Sequence, residues 1–198
     1  MKRTICSKCQ RPIKVCYCHT VKPIDNRWPV HIFQHVEESK HPLGTARIAE
    51  LSLSSCEMQV GNVVTSAMVQ AIGREPVLVY PGNESVALSD VIDDGPRTLV
   101  FLDASWRKSR RMLHESEPLG ALQKVSIDSN DDSRYLIRKS PGKGYLSTLE
   151  AIVSALGLIE GDSEKFSPLL KTMDYMIERQ IELMGRDVFE RNYCRDKD

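Results

Sequence analysis

Four cysteines fall within thirteen residues near the start of the chain, in "CSKCQRPIKVCYC". Cys6, Cys9, Cys16 and Cys18 follow the spacing C-x2-C-x6-C-x-C. Thiols this close together suit one tetrahedral metal ion, and a closed four-sulfur set implies a structural zinc. Lys8, Arg11 and Lys14 lie among them and favour thiolates. The C-x-C pair is tighter than the usual C-x2-C, so spacing leaves both Cys18 and His19 open as the fourth ligand. The alternative is a set of reduced thiols without metal. Cys56, in a helical pattern, and Cys194, in a charged tail, read as unligated.

A second constellation lies in "FLDASWRKSRRML", residues 101–113. Asp103 ends an apolar run. A carboxylate there is partly desolvated and its basicity can rise, which fits a general base. It equally fits an N-cap for the helix that follows, a role Ser105 could also fill. Trp106 serves either as core or as a surface for stacking on a base or cofactor ring. Arg107, Arg110 and Arg111 follow i, i+3, i+4 spacing and share a helical face that could meet phosphates. Lys108 points away from that face and reads as surface. Arg134, Arg138 and Lys139 form a second basic stretch. A third candidate is "LST", where Ser147 and Thr148 open a helix. Their hydroxyls and free N–H groups suit a carboxylate or adenine edge, or serve as an ordinary cap.

These residues need elements to hold them. "VHIFQH" (30–35) alternates and reads as a strand. "PVLVYPG" (76–82) and "RTLVFLDAS" (97–105) are short apolar runs, the pattern of strands buried on both faces. "QKVSID" (123–128) reads as a further strand. Helices are expected over 44–56, 63–73, 106–116, 146–161 and 167–185, and "PIDNRWP" reads as a linker. Apolar strands alternating with helices predict an α/β fold around a largely parallel sheet. Ligands bind beyond the carboxyl ends of such strands. "YPGNES", "DASW" and "SPGKGYLST" all fall there and become candidate ligand contacts. There is no G-x-G-x-x-G and no P-loop, which disfavours an ordinary dinucleotide or nucleoside-triphosphate site.

The 198 residues suffice for one core with a small appendage, divided here as 1–24 and 25–198. Lys and Arg balance Asp and Glu at 27 each, so total charge selects no partner, but the first 24 residues hold six cations and no acid. Such local patches can bind a polyanion on one face. No apolar run approaches the roughly 20 residues that span a bilayer, and the start lacks a signal-peptide pattern. A cytosolic protein is expected, where disulfides are rare.

Taken together, these segments resemble the DTW-domain family, the tRNA-uridine aminocarboxypropyltransferases. "CSKCQRPIKVCYC" is similar to its N-terminal metal motif. "IFQHVEESKHPLGTARIAELSL" is similar to its first strand, His-Pro turn and first helix. "VYPG", "DASW" and "YLSTLEA" are similar to its three loops, in family order. The chain departs by reading Asp103-Ala104-Ser105-Trp106 for Asp-Thr-Trp, and by Val36 where members often carry Pro. The resemblance implies a SPOUT-like α/β fold with a C-terminal trefoil knot and S-adenosylmethionine in the loops at 80–82, 102–106 and 145–148, held by Tyr80, Pro81, Gly82, Leu102, Asp103, Tyr145, Leu146, Ser147 and Thr148. It implies transfer of the 3-amino-3-carboxypropyl group to N3 of a uridine in tRNA, with Asp103, Ser105 and Trp106 as catalytic candidates. Arg47 joins Arg107, Arg110, Arg111, Arg134, Arg138 and Lys139 as RNA contacts, zinc is structural, and a monomer is expected. Rival readings are a methyltransferase on the same fold, the same chemistry on rRNA, and a non-catalytic RNA-binding zinc protein.

Overall fold

The computed structural model describes residues 4–41, 43–127 and 146–191. Tyr145, Arg134, Arg138, Lys139 and Cys194 therefore lie outside the described residues. Six strands form one parallel sheet: β1 (Val30–Gln34), β2 (Cys56–Val60), β3 (Pro76–Val79), β4 (Val86–Ala87), β5 (Thr98–Asp103) and β6 (Gln123–Ser126), in spatial order β2-β1-β5-β3-β6-β4. The helices are α1 (Ala46–Ser52), α2 (Ser66–Gln70), α3 (Trp106–Glu115), α4 (Glu117–Gly120), α5 (Thr148–Glu160), α6 (Ser167–Met184) and α7 (Arg186–Phe189).

The alternation along the central strands shows why both faces are covered. Val30, Ile32, Leu99, Phe101 and Val77 enter one core cluster with α1, α5 and α6. Their neighbours Phe33, Val100 and Leu78 enter a second cluster with Met112 of α3 and Leu119 of α4. Successive side chains point to opposite faces, so continuous apolar runs suit strands sandwiched between helices.

Several expectations change in detail. Cys56 is not helical: α1 stops at Ser52, Leu53 turns extended, and Cys56 opens β2. The edge position of β2 allows exposed Glu57 and Val60 among half-buried residues, which hides the strand pattern. The supposed linker is packed. Trp28 is fully buried, and the Asn26 amide donates to the carbonyls of Trp28 and Ser55 at 2.8 and 2.9 Å. Cys9 and Tyr17 lie in the main core cluster, so the cysteine segment packs into the body of the protein. No described helix is long and apolar enough to cross a membrane.

Candidate active site and metal centre

The sheet register sets Gln34 of β1 beside Asp103 of β5. Register partners in parallel strands share a face, here the face covered by α5. Gln34 Nε2 donates to Asp103 Oδ2 at 2.7 Å, and Thr148 Oγ1 donates to Asp103 Oδ1 at 2.7 Å. Asp103 is 3% exposed. A buried carboxylate needs hydrogen-bond donors, and these come from the ends of β1 and α5. The α5 end is fixed in turn by a capping box. The Ser147 hydroxyl accepts from the Glu150 amide, and the Glu150 carboxylate accepts from the Ser147 amide at 2.7 Å.

Ser105 occupies the N-cap position of α3, but its side chain makes no cap hydrogen bond. Asp103 instead spends its oxygens on β1 and α5. Trp106 is half-buried and its ring packs on that of Tyr80, with centroids 5.6 Å apart. Tyr80 follows β3, and its hydroxyl lies 3.4 Å from Ser109 Oγ. Pro81 and Gly82 are exposed, whereas Leu102, Leu146 and Ser147 are partly buried. The described parts of the three predicted loops thus gather along the strand ends. Gln34 was missed by sequence reasoning, although a polar residue ending an apolar strand is the signal that found Asp103.

The basic residues divide. Arg107, Arg110 and Arg111 are exposed on α3, and Arg111 Nε donates to Glu115 at 2.7 Å. Arg107 and Arg110 form no salt bridge among the described residues, although the charge of Arg107 helps to lower the Glu37 carboxyl. Lys108 is no idle surface residue: it pairs with Glu37 at 2.8 Å and with buried Glu38 at 3.2 Å, tying α3 to the turn after β1. Arg47 pairs with Glu50, and its Nε and Nη2 donate to the Lys8 carbonyl at 3.2 and 2.9 Å. It clamps the cysteine segment to α1.

The four thiols converge. The sulfurs of Cys6, Cys9, Cys16 and Cys18 all lie within 4.8 Å of one another. Cys6–Cys18 and Cys9–Cys16 are each 3.7 Å apart. A tetrahedron with metal–sulfur bonds of about 2.3 Å has edges of about 3.8 Å, so this donor set fits one metal ion. His19 pairs edge-on with the Tyr175 ring at 4.8 Å, which leaves Cys18 as the fourth sulfur. Backbone N–H groups of Cys9 and Lys8 hold the Cys6 thiol down at about 6, whereas burial pushes Cys18 up to about 12. Burial likewise pushes Cys56 up to about 12, the mark of an unreactive thiol.

A parallel sheet with a polar cluster at its carboxyl edge, backed by a four-cysteine knuckle, defines a class that sequence comparison can place. The DTW domain profile matches residues 3–181, and the chain belongs to the DTW-domain family. It is similar to "tRNA-uridine aminocarboxypropyltransferase 2" of Drosophila melanogaster, at 31% identity over 91% of this chain and 76% of that protein. The protein of the same name from Macaca fascicularis is 25% identical over 91% of this chain and 65% of its own length. "tRNA-uridine aminocarboxypropyltransferase A" of Arabidopsis thaliana is 26% identical, covering 90% and 81%.

Proposed function

We propose that this chain is a tRNA-uridine aminocarboxypropyltransferase, joining the 3-amino-3-carboxypropyl group of S-adenosylmethionine to N3 of a uridine in tRNA. The observation that carries the reading is the Gln34–Asp103–Thr148 cluster at the strand ends, in a chain of the DTW-domain family. When bound, S-adenosylmethionine supplies an activated carbon beside its sulfonium, and 5′-methylthioadenosine leaves as the S–C bond breaks.

The chain's own residues do the rest. Uridine N3 is a poor nucleophile while protonated. Asp103 takes that proton as the N–C bond forms. Gln34 and Thr148 fix its carboxylate, so the base is oriented before substrate arrives. Ser105 and Trp106 line the approach, and Trp106 with Tyr80 gives an aromatic wall against which a base or adenine ring stacks. The cofactor is held by Tyr80, Pro81, Gly82, Leu102 and the 145–148 loop. At the start of α5 the Glu150 N–H is taken by the Ser147 hydroxyl, and the N–H groups of Thr148 and Leu149 suit the aminocarboxypropyl carboxylate. Which carbon faces the uridine decides whether aminocarboxypropyl or methyl is transferred.

The reading includes a SPOUT-like fold with a trefoil knot. The parallel sheet and the arrival of α5 at the end of β5 support it. It includes structural zinc on Cys6, Cys9, Cys16 and Cys18, in a 1–24 knuckle preceding a 25–198 catalytic domain. Four sulfurs fill a tetrahedral ion and leave no open position for catalysis. RNA contacts fall to Arg107, Arg110, Arg111 and Arg47, and to Arg134, Arg138 and Lys139 outside the described residues. A cytosolic monomer is an expectation from sequence. The test is mass spectrometry of nucleosides from tRNA incubated with the protein and S-adenosylmethionine. An aminocarboxypropyl adduct on uridine with release of methylthioadenosine is expected. A methyl adduct would move the chain to the methyltransferase reading.

A further inference from the structure

A groove of about 1170 Å³ runs between the cysteine segment, the carboxyl ends of β1 and β2, and α6. It exceeds the roughly 300–1,000 Å³ of ordinary small-molecule pockets. Gln34 lines it and also donates to Asp103, so the groove reaches the base through one side chain.

Its charge is not balanced. Glu38 and Glu50 lie on the lining, but Lys108 pairs with the first and Arg47 with the second. Arg11 and Lys14 also line the groove, and neither has a carboxylate partner among the described residues. Arg11 is 9% exposed, and its Nη2 donates to the Gly44 carbonyl at 2.9 Å. Its Nε is buried with no hydrogen-bond partner. The guanidinium also lies over the buried Tyr17 ring, 5.6 Å from its centroid, and the Nε left without an acceptor favours an anion nearby. Ile13, Val60 and Leu183, each about half exposed, add apolar surface to the same walls. Cationic points interleaved with apolar faces match a flexible polyanion that carries flat rings.

We propose that this groove seats the acceptor RNA, as the single-stranded nucleotides next to the target uridine. Arg11 and Lys14 meet phosphates, and Ile13, Val60 and Leu183 pack against base or ribose faces. The proposal rests on the reading of the chain as a tRNA-uridine transferase. It gives the cysteine segment a task, because that segment forms one wall.

The test uses the full chain with its metal. Lys14→Glu combined with Leu183→Glu changes two exposed side chains and leaves Asp103 and its partners intact. The measurements are tRNA affinity by filter binding across a salt series, S-adenosylmethionine affinity by calorimetry, and metal content. The expected result is at least a tenfold loss of tRNA affinity and a shallower salt dependence, with cofactor affinity and metal content of wild type. Arg11→Lys is expected to lose less than Arg11→Met, with metal content reporting that the segment still folds. Unchanged tRNA affinity and KM in the double variant would overturn the groove while leaving the transferase intact. A wild-type chain that neither binds nor modifies tRNA would overturn the reading, and the groove with it.

Discussion

The cysteine centre and the Asp103 cluster are both small polar sites inside an apolar body, yet they are assembled in opposite ways. The thiols come from one stretch of thirteen residues and are drawn together by local turns. The Asp103 cluster joins residues 69 and 45 positions apart, through a sheet register and a helix terminus. One site is local in sequence, and an ion held by its four sulfurs would lock it. The other is global, and the fold itself is its lock. Damage to the first should therefore appear as lost stability, and damage to the second as lost chemistry.

The comparison breaks most sharply at Asp103. Asp103→Asn keeps the shape but cannot take a proton, so formation of the aminocarboxypropyl adduct should fall by about 10²–10⁴-fold, the usual worth of a general base. Melting temperature should move far less than activity. Full activity in Asp103→Asn, measured by nucleoside mass spectrometry, would make the cluster a structural cap.

Metal removal should give the reverse pattern. Fresh protein is expected to carry about one zinc per chain, and chelation should lower the melting temperature, because binding energy at such sites is folding energy. Metal analysis that finds none would remove the ion from the comparison.

Thr148→Val deprives one Asp103 oxygen of its donor in a buried place, an expected loss on the order of 1–3 kcal/mol in stability or barrier. Thr148→Ser restores the hydroxyl and should recover most of the activity. If Thr148→Val behaves as wild type in both kinetics and melting, the bond at 2.7 Å is incidental.

The smallest effect is expected at Lys108. Lys108→Met leaves buried Glu38 without this cation and should cost on the order of 1–2 kcal/mol. The Glu37 part depends on pH in a defined sense. Lys108 holds the Glu37 carboxyl below its ordinary value, and Glu37 holds Lys108 above its own. The pair therefore contributes above the ordinary carboxylate range and fades as pH falls through the lowered Glu37 value. At the other end it fades as pH rises through the raised Lys108 value. Melting curves across pH should show the difference between wild type and Lys108→Met narrowing in acid.

This contrast also explains what could be read before folding. The cysteine cluster is legible because its spacing is itself the site; geometry adds that Cys18 joins it while His19 packs on Tyr175. Asp103 is legible as an acid ending an apolar run, but nothing local pairs it with Gln34 or Thr148. Helices α5 and α6 carry long apolar periodicities, and α5 a capping serine, so their extents were readable to within a residue or two. Strand β2 was not, since an edge strand mixes exposed and half-buried side chains. Lys108 looked idle because its partners sit on a different element. The groove beside Gln34 left no motif, being made by the meeting of the knuckle, two strand ends and α6.

The knuckle also has a place in the order of folding. Thr172 donates to the Thr20 carbonyl at 3.1 Å and Arg179 to the Lys14 carbonyl at 3.2 Å, across 152 and 165 residues of chain. On a ribosome the thiols emerge well before α6, the helix that clasps them. Metal capture needs only local chain and can precede everything else. The seating of the captured knuckle cannot, because closing so long a loop is entropically late. The nascent chain would thus carry its closed cysteine turn, still exposed, until α6 is made.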